Sequence, residues 1–423
     1  MTMNAMKRAA KGREFWRRNQ PVIEALIEWL EGRRMLAFTA AVAGTEVSFV
    51  GDEAGDLFIL SVEAGNLKHN RFSAGDAGFV SDLDMDSEAA GEQTLAADAT
   101  TRVNIDGGDG ADTFIIRPIN AAGSVSVGDS GQAEGDADIL ILHGTSGNDE
   151  IEVTADDVAM NGGVVSLAGG LEGMTINLGS GDDIIDVFGL SIPATIGGGS
   201  GNDIFGVDTG LGAPLSIRGG SGRDYLDLFA TTGDDSLSIG NNQVTGHGSA
   251  IAYGAIGLLS VFTLAGDDSV VLGRTGVRVE IQGGVGRDLL TLGNDALAKG
   301  GVLFNGGAGK DTLVINGSAL PDRIAVLPDR IRWQSTFSTR IMLVDRIHID
   351  GGDGDDFIEA WRSPKPAVLM GGQGADTLIG SRFDDRLEGG PGNDSLVGGP
   401  GADTLLGQEG NDLLGSDRRD VIG

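Results

Sequence analysis

The sequence contains no cysteine among its 423 residues. It can therefore form no disulfide bond, no thiolate nucleophile and no cysteine-ligated zinc or iron–sulfur centre. Histidine is almost as scarce, because the four histidines stand far apart and no HExxH pair exists to hold a protease zinc ion. Aromatic residues make up only 5% of the chain, which leaves little material for a platform that stacks sugars or bases.

Positive charge and long apolar runs are also in short supply. The chain has 30 basic and 62 acidic residues, for a formal net charge of −32. Such a chain repels phosphate backbones, so nucleic acid is not an expected partner. No stretch approaches the roughly 18 consecutive apolar residues of a membrane-spanning helix. We therefore expect no membrane span.

Glycine, in contrast, is abundant. There are 72 glycines and 10 prolines, and hydrophobic residues still make up 40% of the chain. Disordered segments are usually poorer in apolar residues, so the glycines are predicted to occupy turns of a folded protein. The excess acids are either a solvated surface or a set of ligands for cations, and the positions of the aspartates decide between these alternatives.

The first 44 residues differ from the rest. They begin with a cluster of basic residues and end with a short apolar run, Met35–Ala43. This pattern predicts a targeting segment over residues 1–44 and export of the protein from the cell. An amphipathic helix is the alternative, because Val22, Leu26 and Leu30 recur at helical spacing.

A nine-residue repeat dominates the C-terminal end, with GGQGADTLI from Gly371, GGPGNDSLV from Gly389 and GGPGADTLL from Gly398. Each copy has two glycines, a third glycine two positions later, an aspartate at position six and an apolar residue at position eight. The aspartates of this array are Asp376, Asp385, Asp394, Asp403 and Asp412. The same cassette recurs upstream, farther apart, at Asp112, Asp149, Asp183, Asp203, Asp224, Asp235, Asp268, Asp288, Asp311 and Asp356, with looser copies at Asp138 and Asp322.

The spacing of the cassettes is itself periodic. From Asp138 the steps are 11, 34, 20 and 21 residues, and from Asp224 they are 11, 33, 20 and 23. A unit of about 86 residues therefore repeats, which corresponds to four coils of roughly 21 residues each. This spacing predicts a parallel β-helix in which each coil stacks on the next.

An apolar residue follows each aspartate two positions later, from Phe114 to Ile422. Residues two apart in a strand share a face. We therefore predict that the apolar residue points into the solenoid while the aspartate stays at the rim of the turn. The glycines supply positive φ angles and allow close approach of the main chain.

Oxygen ligands placed in stacked turns suit Ca²⁺, which takes six to eight oxygens from carboxylates and carbonyls. One cassette offers a single carboxylate, so two adjacent turns must share an ion. The alternative is that the aspartates only cap their turns through hydrogen bonds.

These cassettes resemble the haemolysin-type, or RTX, calcium-binding repeats over about residues 101–423, most specifically over 371–423. The resemblance implies a β-roll that folds as it binds Ca²⁺ outside the cell. It assigns metal-binding roles to the five aspartates of the C-terminal array and to their preceding glycines. The upstream cassettes depart from the family in their wider spacing. The glycines concerned are Gly371, Gly372, Gly374, Gly389, Gly390, Gly392, Gly398, Gly399 and Gly401.

A second, shorter resemblance concerns the N-terminal segment. Residues 30–36, LEGRRML, are similar to the segment that begins many exported planctomycete-type proteins.

Three other motifs suggest chemistry at first sight. Gly128-Asp129-Ser130-Gly131 looks like the nucleophile turn of a serine protease, but a glycine-rich turn accounts for it fully. Asp82-Leu83-Asp84-Met85-Asp86 starts like an EF-hand loop but lacks the later ligands, and an acidic surface loop is expected. Polysaccharide epimerases and lyases join a β-helix to calcium-binding rolls, yet no Tyr, Asp and His run of their kind occurs here.

The sequence thus predicts a right-handed parallel β-helix that ends in a β-roll. We expect a targeting segment at 1–44, an irregular region at 45–100, a β-helix at 101–369 and a calcium-binding roll at 370–423. The predicted function is extracellular calcium binding without catalysis, in a structural or adhesive protein of the cell surface. Candidate partners are calcium ions, surface polysaccharide and other surface proteins. A polysaccharide-modifying enzyme on the same scaffold is the alternative.

Overall fold

The computed structural model describes residues 38–52, 55–70, 81–86, 89–118, 123–131, 137–293, 301–334, 337–417 and 419–423. These residues form strands, turns and irregular segments, and none of them is helical. The described part of the chain accordingly holds no helix with the length and hydrophobicity to cross a bilayer.

The strands of the first part of the chain are β1 (Thr39–Ala43), β2 (Glu46–Val50), β3 (Leu57–Glu63), β4 (Asn66–His69), β5 (Arg102–Asp106), β6 (Thr113–Ile116), β7 (Ser124–Gly128), β8 (Ile139–His143), β9 (Glu150–Val153), β10 (Asp157–Met160), β11 (Gly163–Leu167), β12 (Gly173–Ser180), β13 (Ile184–Val187), β14 (Ala194–Ser200), β15 (Ile204–Asp208), β16 (Leu215–Ser221), β17 (Tyr225–Phe229), β18 (Ser236–Gly240), β19 (Gln243–Gly246) and β20 (Ser249–Gly254). They are followed by β21 (Leu258–Phe262), β22 (Ser269–Leu272), β23 (Arg278–Gly286), β24 (Leu289–Leu292), β25 (Val302–Gly309), β26 (Thr312–Asn316), β27 (Arg323–Leu327), β28 (Arg330–Trp333), β29 (Phe337–Met342), β30 (Arg346–Asp353), β31 (Phe357–Glu359), β32 (Ala367–Gln373), β33 (Thr377–Ile379), β34 (Arg386–Pro391), β35 (Ser395–Val397), β36 (Thr404–Glu409), β37 (Leu413–Gly415) and β38 (Val421–Ile422).

The chain forms two compact units, the first within residues 1–141 plus 166–172 and the second from 142–165 plus 173–423. In the first unit, β1 and β2 form an antiparallel hairpin, and β2, β5 and β7 continue from it as a parallel run. A second hairpin, β3 with β4, is extended by the parallel strand β6. The rings of Phe38, Phe49 and Phe58 pack together in the core.

Most of the predicted targeting segment, residues 1–37, lies outside the described residues. Its last residues, 38–43, lie in the first unit, where they contribute the buried Phe38 and strand β1. The expectation of an irregular region at 45–100 falls partly on described residues, which include β2, β3 and β4.

The second unit is built from two sheets. Sheet A follows the order β9, β13, β15, β17, β21, β23, β25, β29, β28, β27, β31, β33, β35 and β37, and sheet B the order β12, β14, β16, β20, β19, β18, β22, β24, β26, β30, β32, β34, β36 and β38. The pairings are parallel except at β19 and β28 within these orders and at β10, which pairs with β9. The predicted parallel β-solenoid is confirmed.

The period found in the cassette spacing has a structural cause. The steps of 20 to 23 residues join paired strands of plain coils, as Ile184 pairs with Ile204 and Ile204 with Tyr225. The long steps, from Asp235 to Asp268 and from Asp322 to Asp356, each contain an antiparallel insertion, β18 to β20 in the first case and β27 to β29 in the second. In the last coils the step shortens to two nonapeptides, since Thr377 pairs with Ser395 and Ser395 with Leu413.

Side chains alternate along most strands between the interior and the surface. All but the last two of the apolar residues that follow the cassette aspartates are buried, with exposures of 3% or less. Leu414 and Ile422, at the C-terminal end, are partly or largely exposed. The aspartates themselves are buried too, at 5% or less from Asp112 to Asp403. The prediction that they lie at the rim of the turn is therefore wrong, because each carboxylate folds back beneath its own turn.

Candidate metal sites in the aspartate turns

The cassette aspartates of successive coils are joined by hydrogen bonds. In most of the rows, the main-chain N–H of one aspartate donates to Oδ1 of the aspartate in the following coil, so that the later carboxylate caps the earlier turn. In the C-terminal array these bonds are Asp376 to Asp394 (2.9 Å), Asp385 to Asp403 (2.8 Å), Asp394 to Asp412 (3.0 Å) and Asp403 to Asp420 (3.1 Å). Upstream they include Asp149 to Asp183 (2.8 Å), Asp183 to Asp203 and Asp203 to Asp224 (both 3.1 Å), Asp235 to Asp268 (2.9 Å), Asp268 to Asp288 (3.2 Å), Asp288 to Asp311 (3.0 Å) and Asp356 to Asp376 (2.8 Å).

The structure thus gathers the predicted residues into rows, each at the start of the strands of one sheet. In the second unit, Asp149, Asp183, Asp203 and Asp224 precede strands of sheet A, whereas Asp235, Asp268, Asp288 and Asp311 precede strands of sheet B. The aspartates Asp322, Asp356, Asp376, Asp394 and Asp412 return to sheet A, and Asp385, Asp403 and Asp420 lie at sheet B. In the first unit, Asp112 donates to Asp138 in the same way, at 2.6 Å.

In most of these turns the second carboxylate oxygen has no donor. We call a turn open when its buried Oδ2 has no hydrogen-bond partner. In the turn of Asp376, a Cβ on Gly371 would collide with both Oδ2 of Asp376 and the carbonyl oxygen of Gly389 in the next coil, so the bare carboxylate oxygen lies beside a main-chain oxygen. Oδ2 is buried and without a hydrogen-bond partner in Asp112, Asp183, Asp203, Asp224, Asp268, Asp288, Asp311, Asp356, Asp376, Asp394 and Asp403.

The residue four positions before the aspartate has a positive φ angle in these open turns. It is a glycine in all of them but one, as with Gly372 (φ 100°), and Leu264 (φ 68°) precedes Asp268. A Cβ on Gly372 would also strike the carbonyl oxygen of Gly352 in the previous coil, so this position has no room for a side chain. Gly390 and Gly399 have the same conformation (φ 105° and 96°), and Gly389 and Gly398 face the carboxylates of their own cassettes. Gly374, Gly392 and Gly401 each abut a carbonyl of the preceding coil.

Four of the described turns are different, and we call them closed turns. Serine or threonine stands four positions before their aspartates, and its main-chain N–H donates to Oδ2 of the aspartate, at 2.7 Å for Asp149, 2.9 Å for Asp235 and 2.7 Å for Asp322. At Asp385 the same bond comes from Ser381, whose hydroxyl also donates to Oδ1. Both oxygens of these carboxylates thus have donors.

Side chains complete the closed turns. Nε2 of His247 lies 2.7 Å from Oδ1 of Asp235, and Nε1 of Trp333 donates to Oδ1 of Asp322 at 2.8 Å. Nδ2 of Asn161 donates to Oδ1 of Asp149 at 2.5 Å. The closed turns are thus capped by the protein itself, and the open turns are not.

Burial raises the pKa of several carboxyl groups in the open turns above the ordinary value of 3.8. The pKa is about 7 for Asp112 and Asp356 and about 6 for Asp288 and Asp376, where desolvation is the main cause and neighbouring aspartates add to it. A buried carboxylate without a donor is costly to ionise unless a cation lies beside it. The donor set is oxygen only, which fits a hard cation such as Ca²⁺.

Residues 348–362, 370–405 and 379–414 match the family of the RTX calcium-binding nonapeptide repeat (4 copies). The chain carries RTX calcium-binding repeats. RTX nonapeptides bind Ca²⁺, so the open RTX turns at Asp356, Asp376, Asp394 and Asp403 combine a calcium-binding sequence with bare, buried oxygens. No curated protein matches the chain.

Sequence reasoning missed several members of the rows. Asp345 accepts from the N–H of Asp311 at 3.2 Å, and Glu172 accepts from that of Asp138 at 2.7 Å, although neither lies in a glycine cassette. Their only signal is a position about one coil after a cassette aspartate. The expected acidic surface loop at residues 82–86 is also wrong for Asp84, which is fully buried beside Met85 and accepts from the N–H of Gln93 at 2.9 Å.

Proposed function

We propose that this is a secreted protein with a structural or adhesive role outside the cell, in which Ca²⁺ ions bound at the open turns hold the coils together. The observation that carries the proposal is the row of buried Oδ2 atoms without donors in successive coils. Ions are assigned to the open turns, including the upstream ones from Asp183 to Asp311, and not to the closed turns at Asp149, Asp235, Asp322 and Asp385.

Coupling between ion binding and folding follows from the same geometry. Ionised carboxylates one coil apart repel each other, and an ion between two coils converts this repulsion into attraction. Extracellular calcium modules bind their ions with dissociation constants of about 10⁻⁴ to 10⁻³ M. Such sites fill outside the cell and stay empty inside it, which supports folding after export.

The proposal is tested by circular dichroism and heating of the full chain with chelator, with millimolar Ca²⁺ and with millimolar Mg²⁺. We expect strand content and resistance to heat to rise with Ca²⁺ and much less with Mg²⁺, which prefers a smaller octahedral shell. Equal order and equal heat resistance after removal of the metal would contradict the proposal.

A non-catalytic role is supported by the positions of the few groups that could do acid–base chemistry. Tyr253 points into the core, where burial raises its pKa to about 12, and Tyr225 lies on sheet A. His348 lies on sheet B, and His247 is engaged by Asp235. A polysaccharide epimerase or lyase would need such groups in one cleft.

One feature of sheet B suits an adhesive role toward acidic polysaccharide. An open groove of about 1070 Å³ is lined by the basic residues Arg287, Lys310 and Arg346 and by His348, together with the acidic residues Asp267 and Asp288. Arg287 and Lys310 stand directly before turn aspartates, but their side chains are exposed while those carboxylates are buried. Within the described residues, none of the bases Arg287, Lys310 and Arg346 forms an ion pair. Three unpaired cations on a chain of charge −32 mark this groove as a binding surface for an anion.

Replacing Arg287, Lys310 and Arg346 together with glutamine should weaken binding to hyaluronan, a polymer of acidic sugars, about tenfold in calcium buffer. Arg278→Gln is the matched control, because Arg278 is an exposed base on sheet A that is already paired with Glu280. Affinity electrophoresis through hyaluronan and through neutral dextran gives the comparison. If hyaluronan retards the triple variant as strongly as Arg278→Gln, the assignment of the groove is refuted. It is also refuted if dextran retards the unaltered protein as strongly as hyaluronan does.

A further inference from the structure

One turn of the first unit carries an aspartate that belongs to no nonapeptide. Asp129 directly follows β7, and its carboxylate lies beside those of Asp112 and Asp138. One oxygen from each of the three residues lies within 4.8 Å of the other two.

The position of Asp129 differs from anything in the RTX turns. At Gly351, an RTX glycine, a Cβ would meet Oδ2 of Asp356 and the carbonyl oxygen of Gly371. At Gly107, the equivalent glycine of the Asp112 cassette, a Cβ would instead meet Oδ2 of Asp112 and Oδ1 of Asp129. A second carboxylate oxygen therefore stands where the repeats have a main-chain carbonyl.

Two of the oxygens that converge at this point have no hydrogen-bond partner. Asp112 is 1% exposed, and its Oδ2 has no hydrogen-bond partner. Oδ1 of Asp129 is likewise buried without a partner. The remaining oxygens anchor the cluster: Oδ1 of Asp112 accepts from the N–H of Asp56, and Oδ1 of Asp138 accepts from that of Asp112, each at 2.6 Å.

Every charge that acts on Asp112 and Asp129 is negative. Asp56 and Asp138 act on Asp112, and Asp106, Asp138 and Glu172 act on Asp129. Three carboxylates this close can all be ionised at neutral pH without a large penalty only when a cation balances them.

We propose that Asp112, Asp129 and Asp138 bind one Ca²⁺ in the first unit, separately from the RTX repeats at 348–414. Calcium is the expected ion because all three ligands are carboxylates, and hard oxygen donors of this kind favour it over softer metals. The site rests on the proposed function only through Asp112, which lies in an open turn, and none of its ligands lies in the C-terminal array.

Asp129→Asn in the full chain tests the site, because it keeps the shape of the side chain and removes its charge. Equilibrium dialysis with radioactive calcium should show one ion fewer per chain than in the unaltered protein. Hydrogen exchange of residues 107–116 should slow about tenfold with Ca²⁺ at ten times its dissociation constant in the unaltered protein, and not in the variant. Asp109→Asn, at an exposed neighbour, should change neither result.

Asp394→Asn separates this site from the RTX ions, because it should remove an ion and leave the calcium-dependent protection of residues 107–116 intact. A full ion count in Asp129→Asn with protection retained would overturn the proposal. Should that variant fail to fold, the unaltered protein still decides, because an absence of calcium-dependent protection at 107–116 would reject the site by itself.

Discussion

A single position in each cassette decides whether its aspartate is satisfied by the protein. Glycine four residues earlier adopts a positive φ angle and leaves Oδ2 bare, as at Gly390 before Asp394. Serine at the same place turns its N–H and hydroxyl onto the carboxylate, as Ser381 does with Asp385. The two alternatives weighed from the sequence, ion binding and capping by hydrogen bonds, thus each fit a different set of turns.

This difference gives a prediction within one array. Asp394→Asn should lower the number of bound Ca²⁺ ions, because it neutralises a bare carboxylate in an open turn. Asp385→Asn should leave the number unchanged, because that carboxylate already accepts from Ser381 and from the N–H of Ala367 at 2.7 Å. Equilibrium dialysis of the two variants beside the unaltered chain measures the contrast, and an equal loss in both would contradict it.

The sequence shows which residue stands four positions before each cassette aspartate, but it does not show what that residue does to the carboxylate. The serines and threonines of the closed turns are visible as departures from glycine, at Thr145, Thr231, Ser318 and Ser381. Serine or threonine at this position could either weaken an ion site or supply hydrogen bonds in place of the ion. Which of the two occurs depends on the φ angle of that residue, and the sequence does not give φ angles. The buried position of the carboxylates was missed for a related reason, since it depends on the chain folding back over them.

At the scale of elements, spacing predicted the coils well. The cassette steps of 20 to 23 residues correspond to strands stacked in register, and the apolar residue two positions after the aspartate fills the core in all but the last coils. In the last coils, strands of only three residues are long enough to continue the core. Strands β33 and β35 each bury one leucine there, Leu378 and Leu396. Burial of such a side chain contributes roughly 1.5–3 kcal/mol.

The insertions between coils were not foreseen. Strands β19 and β28 lie inside the long steps between cassettes, where the repeat pattern is silent. One local signal existed, because Asn241 and Asn242, both with positive φ (51° and 58°), form the hairpin turn between β18 and β19. The 11-residue steps, from Asp224 to Asp235 and from Asp311 to Asp322, move the row of aspartates from one sheet to the other, and a three-strand insertion follows each of them. Each unit of about 86 residues therefore includes a change of sheet.

At the scale of the whole chain, the carboxylates set the response to pH. In the metal-free protein, Asp112 and Asp356 have pKa values of about 7, and Asp288 and Asp376 of about 6, all raised by burial. Unfolding returns them to about 3.9. The folded state therefore binds more protons between about pH 4 and pH 7, and stability falls as the pH rises through that window.

The melting temperature in chelator should accordingly be higher at pH 5 than at pH 7.5. Excess Ca²⁺ should remove or reverse this trend, because the ion binds only the ionised carboxylates. Calorimetry at both pH values, with and without the ion, tests the expectation. A chelated protein that becomes more stable from pH 5 to pH 7.5 would count against it.

The direction of the aspartate hydrogen bonds gives the solenoid a polarity. An amide in one coil donates to a carboxylate in the coil that follows, as Asp376 does to Asp394 and Asp394 to Asp412. Main-chain acceptors are lost at either kind of cut, since the N–H of Ser395 donates to the carbonyl oxygen of Asp376 in the preceding coil. The carboxylate caps behave differently: a chain shortened at its C-terminal end loses the cap of its new last turn, whereas a chain shortened at its N-terminal end keeps the caps of all its remaining turns.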